Sequence, residues 1–99
     1  MNPLDQHLEE IQCLCVAHKV QRLEAFGSVL HHLDDDSDID LAVVFETGYA
    51  NGAFAQYFDF KEALESLLQR PVDLVCYNAI RNQVFREEID ATKLPLYAA

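Results

Sequence analysis

The segment Ile39–Phe45 constrains the fold of this 99-residue chain more than any other segment. It is apolar at every position except Asp40, and it is rich in β-branched side chains. This composition is typical of a strand that is buried on both faces, whereas a strand with one solvated face alternates apolar and polar residues. Covering both faces of a strand requires a layer of structure on each side, so the segment favours an α/β architecture.

The rest of the chain predicts helices that alternate with further strands. The predicted helices are Asn2–Lys19, Ala53–Gln69 and Ala79–Ala91, the last of them capped by Asn78. The further strands are Leu23–Phe26, Val72–Tyr77 and an edge strand at Leu94–Tyr97, and a turn over Ser28–Leu33 and a loop over Asp34–Ser37 separate the first two strands. We therefore expect one α/β (α+β) domain over residues 1–99, with a small mixed sheet of three to four strands and flanking helices. The first two strands are expected to be antiparallel.

The apolar faces of the later helices are predicted from their spacing. Those expected to face inward in the helix after the second strand are Phe54, Tyr57, Phe58, Leu64, Leu67 and Leu68. Those expected in the last helix are Ile80, Val84, Phe85 and Ile89.

The charge of the chain limits its partners. It has 7 basic and 17 acidic residues, which give a formal net charge of −10. Proteins that bind nucleic acid by neutralising phosphates are basic, and an anionic membrane surface repels an acidic protein. We therefore expect no direct nucleic-acid or membrane partner. Three cysteines without disulfide spacing, and no signal or membrane-spanning segment, predict a cytoplasmic protein.

Three acidic residues occupy positions where a buried sheet rarely has acids. Asp40 interrupts the apolar strand Ile39–Phe45, and Asp38 lies two residues before it. Asp73 interrupts the strand Val72–Tyr77. Side chains two apart in a strand share one face at a separation of about 7 Å, so Asp38 and Asp40 can converge on one cation. Asp73 reaches the same site if its strand lies beside that of Asp40.

Carboxylates brought together in this way are unfavourable unless a cation compensates them. Oxygen-only ligands select Mg²⁺ or Mn²⁺, which can also hold a triphosphate, and one carboxylate could take the proton of an attacking hydroxyl. The residues alone leave alternatives open. Asp38 can cap the preceding turn, and Asp40 and Asp73 can face solvent on an exposed sheet face.

The pair Gly27-Ser28 ends the first predicted strand. Glycine permits a close backbone approach or a positive φ, and the amides that follow can hold phosphate oxygens together with the Ser28 hydroxyl. Such a pair is also common in ordinary turns. Its position at a strand end beside the acidic cluster suggests a phosphate-binding turn.

These residues together resemble a known family. Gly27-Ser28, followed after eight residues by the segment Ser37–Leu41, resembles the Gly-Ser…Asp-x-Asp signature of the DNA polymerase beta-like nucleotidyltransferases. The segment Pro71–Val75 resembles the strand that carries their third carboxylate. The likeness to the minimal nucleotidyltransferases spans essentially the whole chain. It implies a small α/β sheet with flanking helices, and transfer of a nucleoside monophosphate, usually AMP from ATP, to a hydroxyl with release of pyrophosphate.

The resemblance also implies roles for individual residues. Gly27 and Ser28 would hold the triphosphate. Asp38 and Asp40 would bind the metals, and Asp73 would complete the site and help to deprotonate the acceptor. Many minimal members are encoded beside a helical HEPN-domain protein and act as its antitoxin, some by adenylylating a tyrosine. The resemblance therefore implies a HEPN partner, and the open sheet face leaves room for a homodimer.

The chain departs from the family pattern after Gly27-Ser28. Family members often continue with Gly-Ser-x-x-Arg-Gly, whereas this chain has Val29-Leu30-His31-His32. It therefore lacks the fixed positive charge that arginine supplies near phosphates. This departure favours, as an alternative, a weak or inactive module that neutralises its partner by binding. A third hypothesis, a transferase acting on a small molecule, requires a second domain or a dimer to hold the acceptor.

Overall fold

A computed structural model describes residues 3–27 and 38–99 of the chain. Its helices are α1 (Pro3–Gln6), α2 (Leu8–Ala17), α3 (Gly52–Leu68) and α4 (Gln83–Thr92), with a 3₁₀ turn at Tyr77–Ala79. Its strands are β1 (Val20–Phe26), β2 (Ile39–Phe45), β3 (Val72–Cys76) and β4 (Leu94–Ala98). The turn and the loop predicted over residues 28–37 lie outside the described residues.

The four strands form one mixed sheet in the order β3–β2–β1–β4. β1 pairs antiparallel with both β2 and β4, and β2 pairs parallel with β3. This arrangement confirms the predicted mixed sheet, the antiparallel first pair and the edge position of the C-terminal strand. It also places the end of β1 and the starts of β2 and β3 at the same end of the sheet.

Helices cover both faces of the sheet. On one face, α2 and α3 bury Ile11 and Phe60 against strand residues such as Leu41. On the other face, α4 packs Ile89 against Phe26 and Ala42. The adjacent residues Leu41 and Ala42 thus face opposite cores, as the composition of β2 predicts.

Two helix boundaries differ from the prediction. The first helix is divided into α1 and α2 and ends at Ala17, because Lys19 adopts a left-handed conformation with φ +56°. The last helix begins at Gln83 and not at Ala79. Ile80 is extended, and the side chain of Asn82, not Asn78, caps the helix by accepting from the Phe85 N–H at 3.1 Å.

The buried face of α3 also differs from the prediction. Phe54 and Phe58 are 78 % and 43 % exposed, and Val84 of α4 is 74 % exposed. The residues that α3 buries are Gln56, Phe60, Leu64 and Leu68. Their spacing of four follows one helix face, and the polar Gln56 is satisfied there because its amide donates to the carbonyls of His18, Lys19 and Glu46.

Candidate active site

The sheet topology brings the predicted acidic residues to one place. Asp40 and Asp73 are direct partners across the parallel β2–β3 pair, so their side chains lie on the same face of the sheet. Both lie at the second position of their strands, and Asp38 precedes β2 immediately. The condition set by the sequence, that the strand of Asp73 lies beside that of Asp40, is therefore met.

Gly27 lies against this carboxylate pair. Phe26, the last residue of β1, pairs with Asp40, and Gly27 follows with φ +75°. A Cβ built on Gly27 would stand 2.8 Å from Oδ2 of Asp40, closer than real Cβ contacts allow. Glycine is therefore required here for two reasons, the left-handed backbone and the close approach of the Asp40 carboxylate.

The three carboxylates repel one another. Burial raises the pKa of Asp40, and the charges of Asp73 and then Asp38 raise it further. Asp40 is half-buried, whereas Asp38 and Asp73 are exposed. The site thus concentrates negative charge around one partly desolvated carboxylate, an arrangement that a cation would stabilise.

The carboxylates of the site suit a hard cation in chemistry, but they do not hold one by themselves. The donor groups are carboxylate oxygens, which suit Mg²⁺ or Mn²⁺ and not zinc. Within residues 3–27 and 38–99, however, no three His, Cys, Asp or Glu side chains are grouped closely enough to hold a metal ion by themselves. Mg²⁺ usually takes only one or two carboxylates and completes its coordination with water and substrate phosphates. The carboxylates of this site therefore fit a cation that arrives with a triphosphate.

The remaining predicted site residue, Ser28, lies outside the described residues, as do His31 and His32. Of the predicted set, the structure brings together Gly27, Asp38, Asp40 and Asp73. Their individual roles stay predictions.

Sequence reasoning missed a buried charged network on the same sheet face. Glu24 of β1 is only 3 % exposed, and its carboxylate lies 3.4 Å from Nζ of Lys93 and 3.5 Å from Nε of Arg22. Asp90 accepts a hydrogen bond from the Tyr77 hydroxyl at 2.6 Å and lies 3.8 Å from the Lys93 ammonium. The alternation of Leu23–Phe26 resembles a half-solvated strand, and only the pairing of β4 along β1 reveals that Glu24 is enclosed.

Replacing Glu24 with Gln is expected to lower the free energy of unfolding by about 1–2 kcal/mol. The substitution keeps the volume but leaves Lys93 and Arg22 without their common anion. The partly exposed Lys93 ammonium can regain some hydration, whereas the buried Nε of Arg22 cannot. Urea unfolding monitored by circular dichroism measures the loss. Glu88→Gln, at an exposed position of α4, is the matched control and should change stability by less than about 0.5 kcal/mol. An equal effect of the two substitutions would contradict the network.

None of the helices within the described residues is long and apolar enough to cross a membrane.

Comparison with known proteins agrees with this geometry. Residues 9–99 match the family model described as "Polymerase beta, Nucleotidyltransferase". A curated relative from Thermococcus cleftensis, named protein adenylyltransferase MntA, is 31 % identical over 86 residues, which cover 78 % of this chain and 84 % of the relative.

Solved structures share the fold. One, described as a candidate minimal nucleotidyltransferase, superposes with a TM-score of 0.80 and 33 % identity over 96 % of both chains. Another is a tri-AMPylated HEPN toxin of Shewanella oneidensis in complex with an MNT antitoxin. One chain of this complex matches with a TM-score of 0.67 and 24 % identity. The match covers 96 % of this chain and 72 % of the chain in the complex, and it shows a likeness of fold alone.

Proposed function

Because this chain belongs to the polymerase beta nucleotidyltransferase family, we propose that it transfers AMP from ATP to a hydroxyl of a partner protein. The observation that carries the proposal is the pairing of Asp40 with Asp73 beside Gly27. Nucleotidyl transfer needs carboxylates that hold a cation and a backbone that approaches the phosphates closely, and this end of the sheet offers both. The adenylyltransferase name of the Thermococcus relative supports AMP as the transferred group.

The residues of the site have distinct roles in the proposed reaction. The backbone at Gly27, together with Ser28, holds the triphosphate. The acceptor oxygen attacks the α-phosphorus, the bond from that phosphorus to the bridging oxygen of the β-phosphate breaks, and pyrophosphate leaves. Asp73, which is exposed and beside Asp40, receives the proton of the acceptor hydroxyl.

The cofactor proposed for this site is Mg²⁺ or Mn²⁺, held by Asp38 and Asp40 with support from Asp73. A cation relieves the repulsion that raises the pKa of Asp40, and when bound it supplies positive charge against the phosphates. This positive charge matters because the chain lacks the arginine that often follows Gly-Ser in the family.

The proposed partner is a HEPN-domain toxin, modified on a tyrosine and neutralised by this chain as its antitoxin. The resemblance to minimal nucleotidyltransferases supports this partner, and so does the Shewanella complex, in which an MNT antitoxin is bound to an AMPylated HEPN toxin. The charge of −10 suits a protein partner with a basic surface. A cytoplasmic location stays a prediction of the sequence.

The test is to incubate the protein with Mg²⁺, ATP and the protein encoded beside it, and to measure the intact masses. We expect an added AMP on the partner, and no addition when the metal is removed with EDTA. The double substitution Asp38→Ala/Asp40→Ala should abolish the added mass. A double variant that modifies the partner as fully as the unsubstituted protein does would refute the enzymatic proposal.

A second candidate function is neutralisation by binding alone. The sequence Val29-Leu30-His31-His32 in place of the family arginine favours it. The two functions differ in their dependence on the carboxylates. A binding module neutralises the toxin with or without Asp38 and Asp40 and shows no metal-dependent affinity for ATP. The enzyme requires both carboxylates and the metal.

A further inference from the structure

We propose that the aromatic face of α3, formed by Phe54, Tyr57 and Phe58, is the surface on which the acceptor protein docks. Its occupant is a segment in which apolar side chains are flanked by Lys or Arg. This inference rests on the proposed function for the identity of the acceptor, but the surface itself follows from contacts of the described residues.

Two of the three rings of the aromatic face are exposed to solvent, and the third, Tyr57, is half-buried. Phe54 is 78 % and Phe58 43 % exposed, although both are large and apolar. Their ring centroids are 4.6 Å apart, and the Phe58 ring lies 5.0 Å from that of Tyr57 in an edge-on arrangement. Three adjoining aromatic side chains on one helix face form an apolar surface of the kind that dominates protein interfaces.

The aromatic face reaches the edge of β3 through Tyr57. The Tyr57 hydroxyl donates to the carbonyl oxygen of Leu74, the residue after Asp73. Burial raises the pKa of Tyr57, and the nearby Cys76, Asp73 and Glu65 raise it further. The Asp73 side chain lies on the opposite face of the sheet, which α4 covers, so a segment seated on the aromatic face reaches the candidate active site around the edge strand β3.

A cavity adjoins the aromatic face at the N-terminal end of α3. It has a volume of about 380 Å³, and its walls include Phe45, Tyr49, Tyr57 and Cys76. These walls are mostly apolar and the cavity is open to solvent, so it can accept an apolar side chain of the occupant. The cavity and the aromatic face share Tyr57 and together form one surface.

Charge complementarity selects the occupant. Acidic side chains outnumber basic ones around the aromatic face. Glu62 lies one helical turn after Phe58, and Asp59 accepts from the hydroxyl of Tyr49 in the cavity wall, whereas Lys61 is the only basic residue of α3. A second copy of this chain would bring its own net charge of −10 to this acidic border, whereas a segment containing Lys or Arg is attracted to it.

The occupant contacts side chains and does not extend the sheet. β3 is an edge strand, but α3 already satisfies part of its free edge. The carboxylate of Glu65 accepts from the Val72 N–H at 2.9 Å, and Tyr57 donates to the Leu74 carbonyl. An edge protected in this way does not readily pair with another strand.

The test compares the protein carrying the double substitution Phe54→Ser/Phe58→Ser with the control Val84→Ser. Val84 is also an exposed apolar residue, 74 % exposed, but it lies on α4. The probe is the protein encoded beside this chain, which the proposed function identifies as a HEPN toxin. The measurements are its affinity for each variant, the binding of ATP with Mg²⁺, and the sedimentation of each variant alone. We expect the double substitution to weaken partner binding about tenfold or more and to leave ATP binding and the circular dichroism spectrum of the folded protein unchanged. Val84→Ser should change none of these properties.

The outcomes separate the docking surface from the proposed function. If Asp40→Asn binds the partner normally but transfers no AMP, and Phe54→Ser/Phe58→Ser loses binding, both proposals hold. If unsubstituted protein binds but never transfers AMP, while the Phe54→Ser/Phe58→Ser variant loses binding, the enzymatic proposal fails and the docking surface remains. Normal partner binding by the double variant overturns the docking surface. The docking surface is also overturned if the unsubstituted protein sediments as a dimer and the double variant as a monomer, because the occupant is then a second copy.

Discussion

Replacing Asp40 with Asn is expected to reduce AMP transfer by a factor of about 10³ or more, while raising the midpoint of thermal unfolding at pH 7. Activity falls because an uncharged amide neither attracts a cation as a carboxylate does nor keeps the negative field of the site. Stability rises because burial, and then Asp73 and Asp38, raise the pKa of Asp40 above its ordinary value of 3.8. The folded chain therefore holds the Asp40 proton more tightly than the unfolded chain does.

The pH dependence gives this prediction its sign. As the pH rises from 3.8 through the raised pKa of Asp40, the folded state loses the stability that this protonated carboxyl contributes, and it does not recover it at higher pH. Unfolding curves of the original and Asp40→Asn proteins should converge below that window and separate above it, with the variant more stable. Glu88→Gln, at an exposed position of α4, is the control and should leave both activity and unfolding unchanged. A destabilised or fully active Asp40→Asn variant would contradict the site.

The sequence predicts β2 within its observed bounds because two-sided burial leaves a distinct composition. Ile39–Phe45 is apolar on both faces, and no helical or half-exposed pattern competes with that interpretation. The sequence predicts that Asp40 and Asp73 lie together only if their strands are neighbours, and the sequence does not determine which strands are neighbours. The helix α3 between β2 and β3 is long enough for a crossover, and such a connection places two parallel strands side by side.

Other features could not be predicted because tertiary contacts decide between locally equivalent choices. Asn78 and Asn82 are both good cap residues, and the extended conformation of Ile80 selects Asn82. Phe54 and Phe58 carry the hydrophobicity of core residues, yet the fold buries the Gln56 position. The carbonyls of His18, Lys19 and Glu46 satisfy the Gln56 amide there, which no local pattern of α3 reveals.

The close approach of Gly27 to Asp40 leads to the second large expected effect. Gly27→Ala should weaken Mg²⁺-dependent ATP binding about 100-fold and lower the free energy of unfolding by about 1–2 kcal/mol. The added Cβ would meet Oδ2 of Asp40 at 2.8 Å, and because this oxygen ends a short side chain, the carboxylate rotates away. The rotation itself costs little stability but removes the carboxylate from the site. The loss of stability comes instead from the left-handed φ of +75°.

Gly52→Ala separates these two causes. Gly52 also has a left-handed φ, +90°, but a Cβ placed there meets no heavy atom within 4 Å among the described residues. It should therefore show a similar loss of stability with unchanged ATP binding. Isothermal titration with ATP and Mg²⁺, together with urea unfolding of both variants, makes the comparison. If both substitutions weaken ATP binding equally, backbone strain and not the Gly27–Asp40 contact accounts for the loss. In that case the contact between Gly27 and the Asp40 carboxylate is not required for nucleotide binding.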